Sequence, residues 1–199
     1  TDSQLRNGMI EILKDAIISD RMLFHQIQKD KKKYLLRDEK TITKIVRSGI
    51  KLKAKLSRKG IENGPILQSI YGHTFGYAIE SYFDFKKYSH PEAVAFGMIL
   101  EGALSQFMGY LSEKERVEQI EIIRSLGFET RIIDPLSASR FIKEIRKDKR
   151  SEESFALFAL PAKIGQPIDS KHYLVKVSYK DISEFLKWFS NDQNDIQFH

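Results

Sequence analysis

Cysteine is absent from the 199 residues, which excludes a disulfide framework, thiolate metal ligands and a thiol nucleophile. A reducing cytoplasm is the compartment expected of such a chain. No apolar run approaches the roughly 20 residues needed to span a bilayer, and the start lacks the pattern of a secretory signal. Neither a glycine-rich nucleotide loop, nor a low-complexity tract, nor an internal repeat is present. The chain opens on Thr1 rather than Met, which reads as a piece or processed form of something longer.

What is present is an ordinary globular composition, 41% hydrophobic, with a net charge of +6. A basic balance suits nucleic acid, or a small substrate carrying phosphate and carboxylate. The lysines are scattered over helical faces apart from Lys29-Asp30-Lys31-Lys32-Lys33, and no nucleic-acid fold signature occurs. Nucleic acid is therefore the disfavoured partner, and the balance remains compatible with a phosphorylated small molecule.

Periodicity predicts a mainly α domain with one small β element. Residues Gln4 to about Gln28 carry apolar positions at helical spacing (Met9, Ile12, Leu13, Ala16, Ile17). Glu11 and Lys14, three apart, are neighbours on that helix, and an exposed pair of this kind is worth only a few tenths of a kcal/mol, or about that. Lys29 to Arg37 reads as a charged connection. Thr41 to about Lys59 is a second helix, closed by the breaker GIENGP at 60–65. Further helices are expected from Glu92 to about Tyr110, from Ser112 to Leu126 and from Ser137 to about Lys147. Phe155–Leu160 and Tyr173–Val177 are β-prone and suggest a hairpin. A last helix covers Asp181 to Phe189. The domain is thus expected over 1–190, with 191–199 a frayed polar tail.

The stretch from Tyr71 to Gly97, YGHTFGYAIESYFDFKKYSHPEAVAFG, carries two of the five histidines. His73 opens a helical face shared with Gly76, Tyr77 and Glu80. His90 sits in a helix start, with Ser89 at the cap, Pro91 in the first turn and Glu92 three residues past Ser89. The positive end of a helix favours neutral imidazole, the form that binds metal. Spacing alone does not supply a third ligand.

GHTFGYAIE followed by HPEAVAFGM resembles the paired signature of the 3-dehydroquinate synthase family of sugar-phosphate cyclases, GHTxGHAIE then HGEAVAxGM. The segment GMIEILKDAII is similar to that family's E-x-x-K segment. The resemblance implies a divalent metal, zinc in the first instance, on Glu11, His73 and His90, with Lys14 facing the substrate phosphate. LKAKL around Lys53 is similar to a substrate-facing lysine helix, and Lys147-Asp148-Lys149-Arg150 to a D-K-K turn, matching Lys149. FALFALPAKIG is similar to the strand and turn that follow.

So the chain resembles the helical, metal-binding C-terminal domain of these enzymes. The NAD-binding N-terminal domain is absent from it, and NAD is expected only with that domain. The implied activity is a carbon–oxygen lyase and cyclase of the shikimate-pathway type, making a carbocycle from a phosphorylated seven-carbon sugar acid with loss of phosphate. In that chemistry NAD transiently oxidises one carbon, and this acidifies a neighbouring proton so that phosphate leaves. Relatives often pair as homodimers, which nothing in this chain alone fixes.

Three substrate-side positions depart from the pattern. Tyr77 stands for the second motif histidine, Ile70 for an asparagine and Ile66 for an arginine. An isoleucine makes no charge-assisted bond of the kind arginine gives, commonly about 1.5–3 kcal/mol. A cyclase with a different sugar phosphate, and a non-catalytic interaction domain that keeps the fold, are the two alternatives these changes leave open.

Overall fold

A computed structural model describes residues 2–58, 64–168, 173–191 and 196–198. Eight helices follow in chain order among them: α1 Asp2–Ser19, α2 Arg21–Leu35, α3 Glu39–Ser57, α4 His73–Tyr82, α5 His90–Phe107, α6 Glu113–Ser125, α7 Ala138–Ile145 and α8 Tyr179–Asn191. A 3-10 turn at Pro65–Ile70 leads into α4. The mainly α fold expected from periodicity is the one observed. No described helix is long and apolar enough to cross a membrane.

Helix α5 is the centre. Every residue from Ala93 to Ser105 is buried, as befits a helix that is apolar all round. Helix α4 packs on it closely because glycines face each other. A Cβ on Gly97 would lie 1.9 Å from the Gly72 oxygen and 2.7 Å from the Gly76 nitrogen, so only hydrogen fits there. Gly72 itself has φ +80°, a left-handed conformation in which glycine carries no Cβ penalty. Buried Glu101 on α5 then accepts from the N–H groups of Gly72 (2.7 Å), Thr74 (3.0 Å) and Phe75 (3.2 Å). Those are orphan donors of the first turn of α4, satisfied by a side chain from another helix.

Several sequence expectations need correction. The single helix from Gln4 to Gln28 is two helices, because Asp20 turns extended and its carboxylate accepts from Leu23 N–H as an N-cap. The charged connection at Lys29–Arg37 is mostly helix, since α2 runs on to Leu35. Its core face is Leu23, Phe24, Ile27 and Tyr34, and the lysines occupy the solvated side. Helix α5 begins at His90, as the Ser89 cap predicts, and ends at Phe107, short of the expected Tyr110. The breaker is open at Gly64, while its residues 60–63 lie outside the described part.

The expected hairpin is present as β2 Phe155–Phe158 against β5 Val175–Ser178, antiparallel. Its connection carries a smaller antiparallel pair, β3 Pro161–Lys163 with β4 Gln166–Pro167. The tail is not wholly frayed: β6 Ile196–Phe198 pairs in parallel with β1 Ile132–Leu136, while 192–195 and 199 are outside the described residues.

Candidate metal centre

His73 and His90 each sit at the first residue of a helix, and the packing of α4 on α5 brings the two starts together. Their ring centroids are 5.4 Å apart. Glu11 comes from the middle of α1, and one ligand atom from each of Glu11, His73 and His90 lies within 4.8 Å of the others. A separation of 62 residues between Glu11 and His73 is thus closed by tertiary packing.

Each histidine is oriented through Nδ1. In His73 this nitrogen meets the Tyr71 carbonyl at 3.2 Å. In His90 it meets both oxygens of buried Glu80, each at 3.2 Å. The Nε2 of each ring is left for another partner, which is how carboxylate- or carbonyl-braced histidines present themselves to metals. Glu11 divides its oxygens: Oε2 accepts from Lys14 Nζ at 2.6 Å, while Oε1 is buried without a hydrogen-bond partner. An unpartnered buried carboxylate oxygen is costly unless something cationic meets it. Two imidazole nitrogens and one such oxygen form a donor set that fits a divalent ion, with positions left open for other ligands.

The electrostatics agree with that use. Burial, then the charge of Lys14, lowers the His73 pKa to about 4 despite the opposing pull of Glu11. Burial alone would raise Glu11, but the charge and hydrogen bond of Lys14 bring it below the usual carboxylate range. Near neutral pH His73 and Glu11 are therefore a neutral imidazole and a carboxylate, with no proton for a metal to displace. In the metal-free protein the His73 shift has a definite sign. Folding stability from this group is fully present above pH 6.5, the unfolded value, and declines as pH falls toward 4 because the unfolded chain binds the proton more readily. Urea midpoints measured from pH 8 to pH 4 check this, and His73→Asn should flatten the decline.

The other sequence-derived positions are placed as follows. Lys14 is buried, 2% exposed, so the Glu11–Lys14 pair is not the solvated surface pair that spacing suggests. Lys53, on α3, sets its Nζ 3.1 Å from Asp15 Oδ2. Ile66 and Ile70, in the 3-10 turn, are partly buried against the apolar core. Tyr77 stacks on His90 (centroids 5.9 Å, 23° between planes) and meets His73 edge-on at 5.3 Å. Lys149 is exposed. From the same turn it is Arg150 whose guanidinium lies over the Tyr77 ring, 5.6 Å from the centroid, with its Nε donating to Asp148 Oδ1 at 2.8 Å.

Sequence reasoning missed the roles of Glu80, Glu101 and Arg150. Glu80 was detectable as the carboxylate two turns after His73 on the same face. For Glu101 and Arg150 the signal is purely tertiary. Glu80→Gln should cost about 10- to 100-fold in metal affinity while leaving the fold intact, measured by competition with a chromogenic chelator.

Solved structures share this architecture. A 2-epi-5-epi-valiolone synthase from Streptomyces hygroscopicus subsp. jinggangensis, with NAD+ and Zn2+ bound, superposes over 96% of this chain and 52% of its own with a TM-score of 0.77 at 19% identity. A 2-deoxy-scyllo-inosose synthase, complexed with carbaglucose-6-phosphate, NAD+ and Co2+, does so over 92% and 52% with a TM-score of 0.70 at 20% identity. The fold is therefore one found within about half of each of these two synthases.

Residues 8–151 match the 3-dehydroquinate synthase C-terminal family, and the chain belongs to that family. Among curated relatives, the 3-dehydroquinate synthase of Thermodesulfovibrio yellowstonii is 29% identical over 94% of this chain and 50% of its own length. That of Rippkaea orientalis is 33% identical over 84% and 46%. The chain thus spans about half the length of the curated relatives it matches.

Proposed function

We propose that this chain is the metal- and substrate-holding half of a 3-dehydroquinate synthase-like lyase. The reaction would convert a phosphorylated seven-carbon sugar acid to a carbocycle by breaking a carbon–oxygen bond with release of phosphate. The observation that carries the reading is the convergence of Glu11, His73 and His90, with Glu11 Oε1 buried and unpartnered. These three would hold zinc or a similar divalent ion, which supplies Lewis-acid polarisation and a template for substrate hydroxyls.

The remaining work belongs to the side chains. Lys14, buried on Glu11, holds a fixed positive charge beside the site, and Lys53 brings a second from α3. Ammonium groups placed in this way attract and orient a phosphate. The carbonyl of Tyr71 and the carboxylate of Glu80 hold the imidazoles in one orientation. NAD would be held by an N-terminal portion of the kind relatives carry.

A second reading is supported by Ile66, Ile70 and Tyr77: the same chemistry on a sugar phosphate with fewer polar groups to satisfy on that side. The test joins this chain to an NAD-binding half and follows phosphate release from the seven-carbon acid and from a panel of other sugar phosphates. Zinc-dependent release from the acid supports the first reading, and release from another member alone supports the second. A zinc-loaded protein inert toward all of them overturns the enzymatic reading and leaves an interaction domain.

A further inference from the structure

Helix α1 presents a third ionisable residue to the region of the site. Asp15 follows Lys14 and lies one turn beyond Glu11, yet it is only 5% exposed. Its Oδ2 takes the Lys53 ammonium at 3.1 Å, and its Oδ1 is buried with no hydrogen-bond partner. A buried carboxylate this poorly satisfied depends on its one cation. Lys53 is the opposite case: its side chain is 46% exposed, on a four-carbon stem that loses much rotamer freedom when it is held in one place. The rigid partner of the pair is therefore Asp15, and the mobile one that gains a fixed position is Lys53. The charge of Lys53 also reaches Glu11 and is one of the influences lowering its pKa.

We propose that Asp15 is a positioning residue that anchors the Lys53 ammonium beside the metal-binding carboxylate. The ammonium pairs with Asp15 Oδ2 at 3.1 Å, and its N–H donors can meet an anionic ligand on the side away from Asp15. The anchor places that charge on the site side of α3, whereas Lys51 and Lys55, its neighbours on the same helix, are exposed with no partner of this kind among the described residues. This inference rests on the reading of Lys53 as an anion-facing group, and the test separates the two.

The zinc-loaded chain is treated with a limiting amine-acylating reagent, and modification of each lysine is followed by peptide mass spectrometry. Asp15→Asn is expected to raise the Lys53 rate about five-fold, the factor for losing an ion pair of ordinary strength, with Lys51 and Lys55 unchanged. An unchanged Lys53 rate in a folded variant overturns the anchoring, and so does a rise shared by all three lysines, which reports general loosening. A parallel arm adds inorganic phosphate to the unmodified protein. Protection of Lys53 supports the anion-facing reading, and its absence counts against that reading alone. If Asp15→Asn does not fold, urea denaturation of Lys53→Met and of the double variant Asp15→Asn/Lys53→Met decides. Recovery of stability in the pair over the single variant is expected, and no recovery overturns the proposal.

Discussion

Replacing His73 by alanine is expected to abolish stoichiometric zinc binding, and Glu11→Ala to do the same. Each would remove one of the three proposed protein ligands, so the affinity should fall by at least about 100-fold, more than the loss caused by altering an orienting partner. Metal content of the dialysed protein and isothermal titration with zinc provide the measurement. Near one zinc per chain in the unaltered protein, and close to none in both variants, is the expected pattern. Zinc retained by both variants would place any metal elsewhere. The two variants differ in a second respect. Glu11→Ala also leaves the Lys14 ammonium, 2% exposed, without the carboxylate that accepts from it; because the Glu11 side chain is 43% exposed, solvent screening holds the cost below the about 3–5 kcal/mol of a fully buried pair. Glu11→Gln keeps a carbonyl oxygen for Lys14 and is the gentler probe, expected to lose metal with a smaller loss of stability.

The largest effect on folding is expected from Gly97→Ala. The added methyl would meet the Gly72 oxygen at 1.9 Å and the Gly76 nitrogen at 2.7 Å, and both are backbone atoms that no rotamer change can move aside. Overpacking of ordinary cores costs about 1–3 kcal/mol. Here the helices themselves must separate, so a loss at or above the upper end, about 3 kcal/mol or more, should appear in urea midpoints. The same shift would pull the start of α4 away from the start of α5 and part the two histidines. Zinc affinity should therefore fall together with stability, although position 97 contributes no ligand. Gly109, where an added Cβ meets nothing within 4 Å, has φ +80° and serves as the control: its alanine variant should carry only backbone strain, with zinc binding kept.

Both expectations show what was legible in the sequence. The helix starts at His73 and His90 were, because Gly72, Ser89, Pro91 and Glu92 are local signals. The Ser89–Glu92 bond is present, with the Ser89 N–H donating to Glu92 Oε2 at 2.8 Å. The length of α2 was not. A run of lysines reads as a connection unless Tyr34, far along the chain, is counted on the same face as Leu23 and Ile27. The break at Asp20 also escaped, since an aspartate inside an amphipathic pattern looks like a solvated position until its backbone turns extended. In the site, the two histidines were local and Glu11 came through resemblance. Glu80 was on the His73 face by spacing, though its partner His90 was not, while Asp15, Glu101 and Arg150 meet their partners through packing between elements distant in sequence, about which spacing says nothing.

The stacking of Tyr77 on His90 has a spectroscopic consequence. Trp188, the single tryptophan, belongs to a different aromatic cluster, 5.5 Å from Phe107 and 6.2 Å from Phe185 between ring centroids. Its emission will follow the packing of α8 onto α5. Tyr77 shares its environment with both imidazoles and with the guanidinium of Arg150, so its near-ultraviolet signal will follow what happens at the histidines. Trp188 emission thus reports on core integrity, while the near-ultraviolet difference between the protein and Tyr77→Phe isolates, from the eight tyrosines, the one beside the histidines.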